Sequence, residues 1–149
     1  DGIQLVDLKA KKIVAISPGR MLYMDVPNNR SGAQATTKVE KTKSTKTING
    51  QKCTKWIVTN TAQDRVISYW VADGGYDFFV PLLQTLNRRE KQSVYFLSVD
   101  GAKGFFPMLG EEKTGAGVSV STLTVTSVAK KTLKDDLFKI PANYKKLER

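Results

Sequence analysis

A chain of 149 residues without a single histidine has few ways to move a proton at neutral pH. General acid–base work would fall to Asp, Glu, Lys or Tyr. The adjacent acids Glu111-Glu112 and Asp135-Asp136 are the obvious pairs. Neighbours on a strand point to opposite faces, so both pairs are expected to be solvated loop charges rather than converging carboxylates. Ser17, Ser68, Ser119 and Ser121 lack the strand-to-helix elbow of a nucleophilic serine. Gly115-Ala116-Gly117 lacks the following helix and lysine of a phosphate-binding loop. No spacing matches a calcium loop. The single cysteine, Cys53, excludes an internal disulfide and a multi-cysteine zinc site. With no histidine to activate it, Cys53 reads as a small core residue. The chain is not expected to be an enzyme, and no cofactor or metal is expected.

The remaining chemistry is apolar binding. Trp56, Trp70, Tyr76, Phe79, Leu83, Leu86, Phe105 and Phe106 are the candidate lining of a cavity for a lipid-like ligand. Burying each such side chain is worth about 1.5–3 kcal/mol. That gain also serves an ordinary filled core, which is the alternative reading for every one of them. Uptake would be passive, gated by a movable helix or loop, with lysines at the mouth pairing with an anionic headgroup.

Those residues need elements to hold them. Tyr76, Phe79, Val80, Leu83 and Leu86 recur at helical spacing, and Phe78 and Leu82 widen the face. Pro81 is tolerable only in a first turn, so the regular helix is expected to begin near Phe79. Asp73-Gly74-Gly75 is expected to break the preceding strand and launch this helix. Most of what surrounds it is β-patterned. Pro18-Gly19 separates strands at 12–16 and 21–26. Residues 27–32 read as a loop. Residues 36–48, rich in Thr and Lys, read as an exposed or edge strand. Asn49-Gly50 is the sharpest hairpin signal, since a type I′ turn needs positive φ at both central residues. The returning strand is 52–59. Residues 65–72 place Ile67, Tyr69 and Val71 on one face and Val66, Ser68 and Trp70 on the other. Residues 94–99 fit either a second helix or a strand. Phe105-Phe106-Pro107-Met108-Leu109 contains proline, which predicts an edge strand or irregular segment. Residues 118–130 read as a long strand, and the tail 137–144 as docked apolar residues before a basic end.

The pieces predict a mainly β (α+β) fold, a curved antiparallel sheet or half-barrel packed around one main helix. At this length one domain, 1–149, is expected. The opening Asp1-Gly2-Ile3-Gln4-Leu5-Val6 reads as mid-strand. The expectation is therefore a chain lacking the first strands and signal of a longer precursor. No apolar run approaches the ~20 residues of a membrane span. The net charge of +10 invites a nucleic-acid reading. The lysines are dispersed, however, acids interrupt them, arginine is sparse and no nucleic-acid motif occurs. Lysines that discourage edge pairing explain the charge more simply, and attraction to an anionic membrane surface comes next.

Two segments resemble the bacterial envelope family known as domain of unknown function 4412. Thr47-Ile48-Asn49-Gly50-Gln51-Lys52-Cys53-Thr54-Lys55-Trp56 is similar to its "ING-K-C-K" hairpin. Phe138-Lys139-Ile140-Pro141-Ala142-Asn143-Tyr144-Lys145-Lys146 is similar to its terminal motif. Trp70-Val71-Ala72-Asp73 and Gly104-Phe105-Phe106-Pro107-Met108 fall where the family has a tryptophan strand end and a "GFPL"-like segment, here with an extra phenylalanine. Asp7-Leu8-Lys9-Ala10-Lys11-Lys12-Ile13 looks like one of its strand-turn-strand units. The family looks related to the half-barrel lipid carriers LolA, LolB and LppX. The resemblance therefore implies a LolA-like half-barrel in a bacterial envelope, periplasmic or anchored as a lipoprotein. It implies no activity. A half-barrel short of strands would leave an open sheet edge, so a homodimer or an envelope protein partner at that edge is a further expectation.

Overall fold

The computed structural model describes residues 2–27 and 36–148. The loop expected at 27–32 lies, beyond Pro27, outside the described residues. The chain begins with a three-stranded meander, β1 (Ile3–Asp7), β2 (Lys12–Ser17) and β3 (Leu22–Val26). Asp7 turns the first corner by accepting hydrogen bonds from the Lys9 and Ala10 amides at 3.0 and 2.9 Å. Pro18–Arg20 forms a 3₁₀ turn at the second corner, closed by the Met21 amide on the Pro18 carbonyl at 3.1 Å.

A second run of strands follows: β4 (Lys38–Ile48), β5 (Gln51–Asn60) and β6 (Arg65–Tyr76). Asn49 and Gly50 join the first two at φ of 52° and 72°, the positive pair the hairpin signal demanded. The helices α1 (Phe79–Leu86) and α2 (Lys91–Leu97) come next, then β7 (Gly104–Lys113) and β8 (Ser119–Thr124). A two-residue β9 (Lys145–Lys146) ends the order.

Among the described residues the strands form two sheets, neither closed: β1-β2-β3-β9 and β4-β5-β6-β7-β8. Every pairing is antiparallel except β3 with β9. The mainly β class holds, whereas the single continuous sheet does not. The expected lone helix has a companion: 94–99 falls largely in α2, so the ambiguous apolar run is helical.

Four further expectations fare unevenly. Gly74-Gly75 does not end its strand. At φ of 138° and 92° the two glycines form a bulge, and β6 resumes pairing at Tyr76 opposite Gly104. Pro107 does fall at an irregularity, as its residue type predicts, although β7 as a whole is not an edge strand. It is buried at a register shift where Trp70 pairs with Leu109 and Val71 with Pro107, ahead of Leu109, the first residue that β8 pairs. The long strand expected over 118–130 is confined to β8, and the tail docks only in part: Leu137 and Phe138 are 60% and 59% exposed, whereas Ile140 and Tyr144 are half-buried where the chain rejoins β3.

The core lies on one face of the larger sheet. Trp56, Val58, Ile67, Tyr69 and Val71 meet Leu83 of α1 and Tyr95, Phe96 and Val99 of and just beyond α2. The helix α1 also touches β1, β2 and β7, so it lies between the two sheets. Pro81 sits in its first turn, where a missing amide costs nothing. Asn87 ends the helix at φ 48°, with its amide on the Leu83 carbonyl at 3.0 Å. The opposite face of the sheet holds a smaller buried group, Cys53, Ala72, Tyr76 and Met108.

Candidate functional site: a row of aromatic rings capped by lysines

Cross-strand partners share a face and successive residues alternate. Trp56 opposite Tyr69 therefore points to the helix side, while Trp70 opposite Lys55 points away. The helix side carries Trp56, 3% exposed, with Phe105 at 4.7 Å and Phe96 at 6.3 Å between ring centroids. Phe96 meets Phe79 edge-on at 5.4 Å, and Phe79 meets Phe106 at 4.7 Å. Phe106 reaches Tyr76 at 5.2 Å and Phe78 at 6.1 Å. The result is one continuous row from Trp56 to Tyr76, with Phe79 joining the main core to the smaller cluster. Offset and edge-on rings of this kind add about 0.5–1.5 kcal/mol each beyond their burial.

A lysine stands at each end. The Lys41 ammonium lies 4.7 Å from the Trp56 ring and donates to the Asp100 carbonyl at 2.7 Å. The Lys130 ammonium lies 5.5 Å from the Tyr76 ring. Phe78, 41% exposed, opens the row to water beside Phe106.

Of the eight residues proposed from sequence, six gather here: Trp56, Tyr76, Phe79, Leu83, Phe105 and Phe106. Tyr76 belongs to the end of β6 and not to the helix whose spacing it seemed to share. Leu86, half-buried, closes α1 without a place in the row. Trp70 lies outside the row but packs against the smaller cluster that holds Tyr76, with Lys46 and Lys55 at 4.5 and 5.7 Å from its ring. The spacing argument missed Phe96, the ring that connects Trp56, Tyr69 and Phe79, because its segment was equally readable as a strand.

A polar cluster beside the row was also missed. Glu112 is not a solvated loop charge. It sits in β7 at 7% exposure and accepts a hydrogen bond from the Ser121 hydroxyl at 3.1 Å. The Tyr69 hydroxyl donates to the Gln92 carbonyl, and the Tyr95 hydroxyl to Oε1 of Gln63. Burial, reinforced by the Glu112 charge, pushes the Tyr69 phenol well above its usual range, and Tyr95 upward in the same way. The Gln92 amide nitrogen donates to the Gly110 carbonyl at 3.0 Å. These bonds pin α2 to the sheet.

Asp135 and Asp136 are exposed, the latter pairing with Lys139 at 3.6 Å. Cys53 is fully buried, and loss of solvent raises its thiol above the ordinary value. Among the described residues no three His, Cys, Asp or Glu side chains converge as metal ligands. No described helix is long and apolar enough to cross a membrane.

Fold and site together define a mainly β protein in which two open sheets hold a helix between them and a lysine-capped aromatic row links its two buried clusters. The chain belongs to the family described as domain of unknown function (DUF4412), whose sequence profile matches residues 4–144. No curated protein and no solved structure matches it at a significant level.

Proposed function

We propose that this chain is a non-enzymatic protein of the bacterial cell envelope, periplasmic or membrane-anchored, that binds a lipid-like hydrophobic ligand along the aromatic row. One observation carries the reading: the rings from Trp56 to Tyr76 are continuous, and an ammonium caps each end. An acyl chain lying along the row would exchange ring contacts for its own at little cost. A headgroup anion would find Lys41 or Lys130. The exposed Phe78 marks the place where α1 would swing to admit it. The setting follows the family resemblance, as does the LolA-like half-barrel, which the enclosure of α1 between two sheets supports.

A second reading has its own observation. Trp56, Tyr76 and Leu83 are 3%, 6% and 7% exposed, and the rings find partners at ordinary packing separations. On that reading the core is filled, and the chain is an interaction module that works through a sheet edge, with a second copy or with another envelope protein.

Native mass spectrometry after gentle extraction, with displacement of a fluorescent long-chain fatty acid, separates the two. Retained lipid, or saturable probe binding that Phe79→Ser weakens, supports the carrier. An unliganded protein that leaves the probe in solution supports the filled module and removes the carrier.

A further inference from the structure

Beyond β8 the chain runs over the surface to β9 with one short 3₁₀ turn, Asp135–Phe138. This stretch leaves Val128 at 38%, Leu133 at 50%, Leu137 at 60% and Phe138 at 59% exposure. Lys130, Lys131, Lys134 and Lys139 are interleaved with them and exposed. The stretch is held at both ends. The Lys130 ammonium donates to the Gly74 carbonyl at 3.4 Å and lies over Tyr76. The Lys145 amide donates to Met21 at 3.0 Å, and that of Leu147 to Tyr23 at 2.7 Å. In between, the bonds are local: the Leu137 amide on Lys134, the Lys139 amide on Asp136, and the Lys139–Asp136 ion pair.

A surface arch that shows large apolar side chains and exposed cations together has two needs at once. A nucleic acid would pair with the lysines and leave Leu133, Leu137 and Phe138 in water. An anionic bilayer answers both, with headgroup charge for the ammoniums and an acyl boundary for the apolar tips. The chain's net charge of +10 draws it toward such a surface. We propose that residues 128–139 are a strap that docks the protein on an anionic lipid surface, with lysines on the headgroups and Val128, Leu133, Leu137 and Phe138 inserted at the boundary. The proposal does not depend on whether the aromatic row takes a ligand.

The test is co-sedimentation of the full chain with vesicles of phosphatidylglycerol and phosphatidylcholine, against vesicles of phosphatidylcholine alone. The wild type is expected to bind the anionic vesicles and to be released by salt. Substituting glutamine at Lys131, Lys134 and Lys139 together, which leaves Lys130 at the end of the row in place, is expected to weaken binding about 100-fold. The separate triple variant Leu133→Ser, Leu137→Ser, Phe138→Ser keeps every charge and is expected to weaken it at least about 10-fold. Unchanged thermal melting shows that each variant is folded. Failure of the wild type to bind overturns the proposal, as does binding that either variant leaves intact. Tighter retention of a single-stranded oligonucleotide that ignores the serine variant overturns it as well.

Discussion

Gly110 shows how tightly the polar cluster is built. A Cβ there would collide with Oε1 of Gln92, whose amide nitrogen is bound to the Gly110 carbonyl at 3.0 Å. Gly110→Ala must swing the Gln92 side chain aside and with it the bond to the Gly110 carbonyl, while the Tyr69 bond to the Gln92 backbone carbonyl stays. The expected loss is about 1 kcal/mol in urea denaturation, the worth of that one hydrogen bond, with a Gln92→Ala background removing most of it. The same cluster gives the protein an alkaline limit. Tyr69 and Tyr95 keep their protons in the folded state to higher pH than in the unfolded chain, chiefly through burial and then through Glu112. Below about pH 10 both forms are protonated and nothing is lost. As pH rises beyond that, the unfolded chain ionises first, so stability falls. Lys146, raised by its hydrogen bond to Asp25, acts in the same direction. Comparing variants isolates the tyrosine share: Tyr69→Phe is expected to lower stability at all pH by the lost hydrogen bond to Gln92, and to flatten the decline above about pH 10. An equally steep decline in that variant would remove Tyr69 from the account.

At the level of elements, α1 depends on enclosure more than on its own length. Eight residues are too few for a stable isolated helix, and it is apolar on most sides. Its hold comes from β1, β2, β7 and α2. Leu83, 7% exposed, is its most buried leucine, so Leu83→Ala is expected to cost about 2–5 kcal/mol, and the half-buried Leu86→Ala clearly less. Equal losses on chemical denaturation would contradict this enclosure. What could be read from sequence follows the same division between local and long-range causes. The Asn49-Gly50 turn, the alternation of Ile67, Tyr69 and Val71, and the helix start at Phe79 are settled within a few residues. Gly74-Gly75 reads locally as a break. It becomes a bulge only because Gly104 waits across the ladder to pair with Tyr76. Pro107 reads as a mark of an edge or an irregularity, and it sits at the register shift between β6 and β7, ahead of the first residue that β8 pairs. The aromatic row was visible in its members, except that Phe96 needed α2 to be known first. Trp70 needed the strand register to be assigned to the other face. Glu112 was not legible at all, since its burial comes from Ser121 on β8 and from the tyrosines that α2 and β6 bring to it.

For the whole molecule, the two outer strands of the larger sheet face opposite prospects. β4 carries Lys38, Lys41, Lys43 and Lys46, so pairing it with its own copy would set ammonium against ammonium. β8, Ser-Val-Ser-Thr-Leu-Thr, has no charge at all, and exposes Val120 at 47% and Leu123 at 54%. Two copies of β8 run antiparallel about a twofold axis would meet without a like-charge contact and continue the ladder from one sheet into the next. The net charge of +10 opposes this at long range, and salt weakens that opposition. Light scattering is therefore expected to find monomer at low ionic strength and a growing dimer fraction as salt and protein concentration rise. Val120→Lys places a cation on the open edge and is expected to hold the protein monomeric throughout. A matching lysine on β4, Thr45→Lys, is expected to change nothing. A monomer under every condition, or a dimer that Val120→Lys leaves intact, would show that β8 is not the edge through which copies meet.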